Sequence, residues 1–205
     1  MNTTSQAWSD TSSNIALLLA RGFASPKDFS PEDPELLRAL DLSTQPQLAP
    51  ARDTWLTAWQ SALNSPDATL LAYSKLFLGP FQIQASPYAS HYLDPAKRLM
   101  GETSMWVAEA YATAGLVPPA DRHCDAPDHL CLECEFLYYL GYQLSQSRQN
   151  KAGDSEQWEA RIDDFLQNHF LRWAPQCAIA ILDADTSTYH RAAAAFLQQW
   201  LQSIS

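Results

Sequence analysis

Apolar side chains recur along the chain at spacings of three and four, the period of amphipathic helices, and no stretch alternates as a half-buried strand does. Ile15, Leu18, Leu19 and Phe23 share one face of a helix over roughly 9–24. A short helix follows Asp33-Pro34, where Asp caps and Pro takes the first helical position. Trp55, Trp59 and Leu63 mark the next stripe. Ser65-Pro66-Asp67 opens a helix that ends at Gly79-Pro80. Asp94-Pro95 repeats the device, and Gly101 breaks the chain before a helical run through Trp106 and Tyr111 to Gly115. Asp128 is placed to cap a helix from 129 to about 147, after which Arg148–Asp154 reads as a surface turn. Ser155 begins a helix that turns Trp158, Ile162, Phe165 and His169 inward, and the last helix, from near Ser187, buries Tyr189, Ala193, Phe196, Trp200 and Ile204. The pattern predicts one all-α domain over 1–205, a bundle of about nine helices. Its expected core holds Trp55, Trp59, Trp106, Phe136, Leu140, Trp158, Ile162, Phe165, Phe196 and Trp200.

One stretch departs from that pattern. Between Gly79 and Asp94 two prolines, three aromatic residues and Ile83 share a single loop, and long loops with apolar content either carry function or cover a core. Composition narrows the function classes. With 13 basic and 23 acidic side chains the 205-residue chain carries −10, which disfavours nucleic acid, where binding runs on phosphate neutralisation. No apolar run is long enough to span a membrane and no basic start precedes Ile15–Ala20, so the expectation is a cytoplasmic protein.

The densest polar cluster runs from His123 to Cys134 and holds two His, three Cys and three carboxylates in Asp125, Asp128 and Glu133. Cys131 and Cys134 have a metal-site spacing, yet no second ligand pair follows at zinc-finger distance. Inside a helix they share a face with Leu130 and Leu137, where a free Cys acts as a small hydrophobe. Two readings stand: buried core cysteines, or a helical metal- or redox-active protein built on Cys124, Cys131, Cys134 and His123 or His129. A helical scaffold with no ligand pocket is a third. Neither a nucleophile elbow nor a Gly-rich phosphate loop is present, and nothing in the sequence demands an enzyme. His169, on an apolar stripe, reads as a satisfied core histidine.

Several segments together resemble the TorD/DmsD/NarJ-type family of redox-enzyme maturation chaperones. The run Tyr73-Ser74-Lys75-Leu76-Phe77-Leu78-Gly79-Pro80-Phe81 is similar to its aromatic-x-x-Leu-Phe-x-Gly-Pro-aromatic motif. Ser86-Pro87-Tyr88-Ala89-Ser90 resembles its Pro-Pro-aromatic-x-Ser segment with one proline fewer, and Gly101 sits where the family has a glycine. Asp128-His129, followed by Glu133, resembles the Asp-His signature, with Asp125 supplying the preceding acid and Pro127 directly before Asp128. His169 to Pro175 and Tyr189 resemble the His-x-x-x-Trp segment and a later aromatic.

The resemblance implies a TorD-like helical domain that is not an enzyme, with no catalytic residue, metal or cofactor. Its partners would be the twin-arginine leader and the apo form of a molybdoenzyme catalytic subunit, of the DMSO/TMAO reductase type, bound before cofactor insertion and export. The implied contact residues are Tyr73, Leu76, Phe77, Phe81, Pro87, Tyr88, Gly101, Asp125, Asp128 and His129. Asp125 and Asp128 are the expected arginine partners. His129 either hydrogen-bonds the peptide or fixes the start of its helix. The expected assembly is a monomer able to exchange helices between protomers, with 116–127 as the hinge.

Overall fold

The computed structural model describes residues 8–79, 83–97, 100–116, 126–151 and 153–205. Helices account for almost all regular structure among them: α1 (Asp10–Phe23), α2 (Asp33–Arg38), α3 (Ala49–Leu63), α4 (Pro66–Tyr73), α5 (Ser90–Leu93), α6 (Glu102–Thr113), α7 (Leu130–Asn150), α8 (Ser155–Phe165), α9 (Leu171–Asp183) and α10 (Thr188–Ile204). The expected all-α bundle is what forms, and the expected number is met once the four-residue α5 is set aside.

The long α7 lies against α1, and α10 sits between α3 and α9. Close approach of α1 and α7 depends on Gly141: a Cβ there would land on Ser13 Oγ and 2.5 Å from Trp8 Nε1, which itself donates to Ser13 Oγ over 2.8 Å. Trp55 and Trp59 of α3 stack with ring centroids 5.0 Å apart, and Phe196 packs on Trp55. Tyr189 donates to the Gly22 carbonyl over 2.6 Å and so ties the start of α10 to the end of α1. Burial of large apolar side chains at roughly 1.5–3 kcal/mol each makes these contacts the main source of stability.

Two expected core residues are displaced outward. Trp106 is 39% exposed, and Trp158 is half-buried, with its indole N–H donating to Asp154 and Arg161 lying 4.6 Å from its ring centroid. The other eight are buried.

Boundaries also shift. Asp94-Pro95 opens a turn and not a helix; Asp94 instead ends α5 and accepts from the Thr103 hydroxyl. The cap of α7 is His129, whose Nδ1 accepts from Cys131 N–H over 3.2 Å, so the expected cap moves one residue from Asp128. Helix α7 then runs three residues beyond 147.

Two segments, Ser74–Leu78 and Leu166–Phe170, widen into π-helical turns, a register change common at functional places. The first closes with Gly79 N–H donating to Ser74 over 2.8 Å, at a positive φ of 46° that glycine takes without steric cost. The second feeds into α9, a helix the apolar period does not predict because Pro175 interrupts it. Proline there removes the bond to the Leu171 carbonyl and its ring crowds that carbonyl.

Candidate functional site

The motif segments, far apart in sequence, close on one buried node. Asp128 is fully buried, and its carboxylate accepts from Ser90 N–H over 2.8 Å and from the Ser104 hydroxyl over 2.6 Å. Backbone bonds run alongside: Ala89 N–H donates to the Asp128 carbonyl, and Leu130 N–H to the Pro87 carbonyl over 2.8 Å. Tyr88 and His129 form an isolated antiparallel bridge, with their rings edge-to-face at 5.1 Å. Tyr111 of α6 donates to the Pro127 carbonyl over 2.8 Å, and burial holds its phenol well above the usual range. Asp128 therefore pins the start of α5 and the first turn of α6 to the entry of α7. Gly101 is the residue at which α6 begins, and Met100 N–H donates to the same Ser104 hydroxyl over 3.1 Å.

One turn further along α7, Glu133 is fully buried. One carboxylate oxygen lies 2.6 Å from His169 Nε2, and the other accepts from the Trp173 indole over 2.9 Å. Burial raises its pKa, while His169 and Trp173 pull the other way and nearby Asp128 adds to the rise. The His-x-x-x-Trp motif thus brackets one carboxylate. Spacing four places both side chains on one helical face; that they share Glu133 is a tertiary fact no spacing announces. Trp106 stacks on His169 at 5.0 Å, and Tyr92 stacks on Trp173 at 5.8 Å.

Among the expected contact residues the structure separates supports from surface. Leu76 (1% exposed) and Phe77 (2%) are core residues, and Phe77 packs on Tyr73 and His190. Pro87 is buried, Tyr88 half-buried and His129 buried. With both oxygens engaged inside the chain and no solvent exposure, Asp128 acts as a strut in this conformation. Phe81, Asp125 and most of the 116–127 hinge, together with His123 and Cys124, lie outside the described residues. Apolar surface near the motifs comes instead from Leu78 (61% exposed), Ile83, Met100 and Met105, none of them among the expected contact residues.

Cys131, Cys134 and Cys177 are buried free thiols. Burial raises the Cys134 thiol well above its usual range and pushes Cys177 up to about 12, so both rest as thiols in this structure. Among the described residues no three His, Cys, Asp or Glu side chains are grouped to hold a metal ion.

A helical body whose motif residues are buried struts beneath exposed apolar side chains has the build of a binding protein. The family model described as nitrate reductase delta subunit matches residues 44–178. The chain is 26% identical over 165 residues to the chaperone protein TorD of Aliivibrio salmonicida, covering 79% of this chain and 75% of that one. It is 28% identical over 149 residues to TorD of Actinobacillus pleuropneumoniae serotype 3, covering 72% and 66% respectively. A crystal structure from Archaeoglobus fulgidus, described as a redox enzyme maturation protein, superposes with a TM-score of 0.55 at 18% identity over 98% of both chains. The chain belongs to this TorD/NarJ-type family, a family of chaperones and not of enzymes.

Proposed function

We propose that this chain is a cytoplasmic maturation chaperone for a molybdenum-cofactor oxidoreductase of the DMSO/TMAO reductase type. It binds the enzyme's twin-arginine leader, and the body of its apo form, before cofactor insertion and export. Family membership over residues 44–178 is the observation that carries this reading. Physical features agree with it. A leader combines two arginines with an apolar stretch, and the chain carries −10 with exposed Leu78 and Ile83 on either side of Phe81 in sequence. Leader side chains would lie against Leu78, Phe81, Ile83 and Tyr88, with Tyr73, Leu76, Phe77 and Pro87 holding that surface from beneath. Desolvating such surface supplies most of the binding free energy. No helix among the described residues is long and apolar enough to cross a membrane. The protein works as a monomer able to exchange helices between protomers.

Calorimetric titration with a synthetic leader tests this. Wild type should bind, and a Leu78→Asp/Ile83→Asp variant should bind on the order of tenfold more weakly or worse, with unchanged urea unfolding. Both side chains are exposed, so a loss of binding reports the surface and not the fold. No binding to wild type rejects leader recognition. A stoichiometric metal in untagged protein, lost on Cys131→Ser, would favour the metal reading instead.

A further inference from the structure

A groove of about 180 Å³ opens between α6, α7 and α8, next to the buried node. Trp106, Phe136 and Phe165 wall it; Glu109, Asp164 and Arg161 supply its charge. Phe136 and Phe165 meet edge-to-face at 4.9 Å at its base, and Trp106 lies nearly parallel to Phe165 at 5.9 Å while keeping 39% of its surface open. Glu109 is three residues beyond Trp106, so both face the groove from one side of α6. Asp164 is offered from α8 opposite, its Oδ1 accepting from the Asn168 amide over 2.7 Å. Glu109 and Asp164 are both exposed, and neither has an ion-pair partner among the described residues. The guanidinium of Arg161 lies 4.6 Å from the Trp158 ring centroid. Exposed Met100 (66%) and Met105 (69%) extend apolar surface beside Trp106, and methionine adapts to varied apolar partners.

Resting on the proposed leader-binding function, we propose that this groove seats an arginine of the bound leader. Its guanidinium stacks on the open Trp106 ring and pairs with Glu109 and Asp164, while the adjoining apolar residues of the leader cover Met100 and Met105. The occupant follows from complementarity: aromatic walls with two exposed carboxylates at the rim suit a planar cation better than a compact ammonium. Among the described residues Arg161 is the one cation lining the groove, and it opposes the incoming charge. Asp128 acts here through position alone, by fixing through Ser104 the helix that carries Trp106 and Glu109.

The test is calorimetry of a synthetic Arg-Arg leader, and its Lys-Lys counterpart, at low and moderate salt. Glu109→Gln/Asp164→Asn should weaken the Arg-Arg leader on the order of tenfold or more at low salt and flatten the salt dependence. Arg161→Gln should tighten it. The preference for Arg-Arg over Lys-Lys should shrink in the double variant. Unchanged affinity in the double variant, with binding lost on Asp125→Asn, overturns this seat for the arginine and leaves leader recognition standing. Failure of wild type to bind either peptide overturns both.

Discussion

Replacing Asp128 separates a strut from a contact. Its carboxylate accepts two hydrogen bonds in a site with no solvent exposure, from Ser90 N–H at 2.8 Å and the Ser104 hydroxyl at 2.6 Å. A hydrogen bond to a charged group is worth about 1.5–3 kcal/mol, and an orphaned buried donor costs about 1–3 kcal/mol. Asp128→Ala removes both bonds and strands Ser90 N–H, so it should cost roughly 3–5 kcal/mol, a large share of a typical 5–15 kcal/mol total. Asp128→Asn keeps the shape and one acceptor. Its amide N–H then faces Ser104 Oγ, which already accepts from Met100 N–H at 3.1 Å, so the hydroxyl proton loses its partner. The cost should be about 1–2 kcal/mol. Urea unfolding of wild type, both variants, Ser104→Ala and the Asp128→Asn/Ser104→Ala double variant measures these values. The cycle should give a coupling of about 1–2 kcal/mol. Folded Asp128→Asn should bind leader within about threefold of wild type with the same salt dependence, because the carboxylate offers no free face. The opposite pattern, wild-type stability with a tenfold loss of affinity and a flattened salt response, would show that Asp128 touches the peptide and refute the strut.

Two further outcomes follow from buried groups elsewhere. His190 is 1% exposed among Tyr73, Phe77 and Tyr189, and burial lowers its pKa to about 4. The unfolded imidazole binds its proton first, so this contribution is fully present above the ordinary pKa of 6.5 and is lost as pH falls toward 4. Unfolding free energy should drop by about 2 kcal/mol between pH 7 and pH 5 on this account, a step that His190→Gln lacks in urea titrations at the two pH values. Gly141→Ala should lower the thermal midpoint: overpacking against Ser13 and Trp8 costs about 1–3 kcal/mol against about 1 kcal/mol gained in helix propensity. A raised midpoint in calorimetry would show that α1 and α7 have room to part.

Much of the fold was legible because helical period and proline–glycine punctuation are local signals. The stripe of Trp55 and Trp59 and the cap-and-proline start at Ser65-Pro66 each name a helix without reference to the rest of the chain. What failed was where tertiary contacts outvote the local signal. Helix α9 survives Pro175 because Trp173 and Cys177 are buried on its inner face, so packing outweighs the lost backbone bond. Trp106 sits on an apolar period like a core residue, yet α6 lies at the edge of the bundle, so its ring covers His169 on one side and meets solvent on the other.

The site was legible as a set of positions but not as a division of labour. Motif order located Tyr88, Gly101, Asp128, His129, Glu133, His169 and Trp173, and the structure draws these segments together. Yet a sequence records which residue types recur, not which atoms remain free. Asp128 and Glu133 look like available carboxylates in a string of letters; in three dimensions Ser90, Ser104, His169 and Trp173 have taken their oxygens. Burying such groups unpaired would cost more than the fold can spare, so stability enforces their partners. In the proposed function a client meets the side chains left exposed around this node, Leu78 and Ile83 among them. Met105 and Glu109 are exposed on α6, which the bond from Ser104 to Asp128 holds in place, so the proposed contacts there are carried by a helix the buried node fixes.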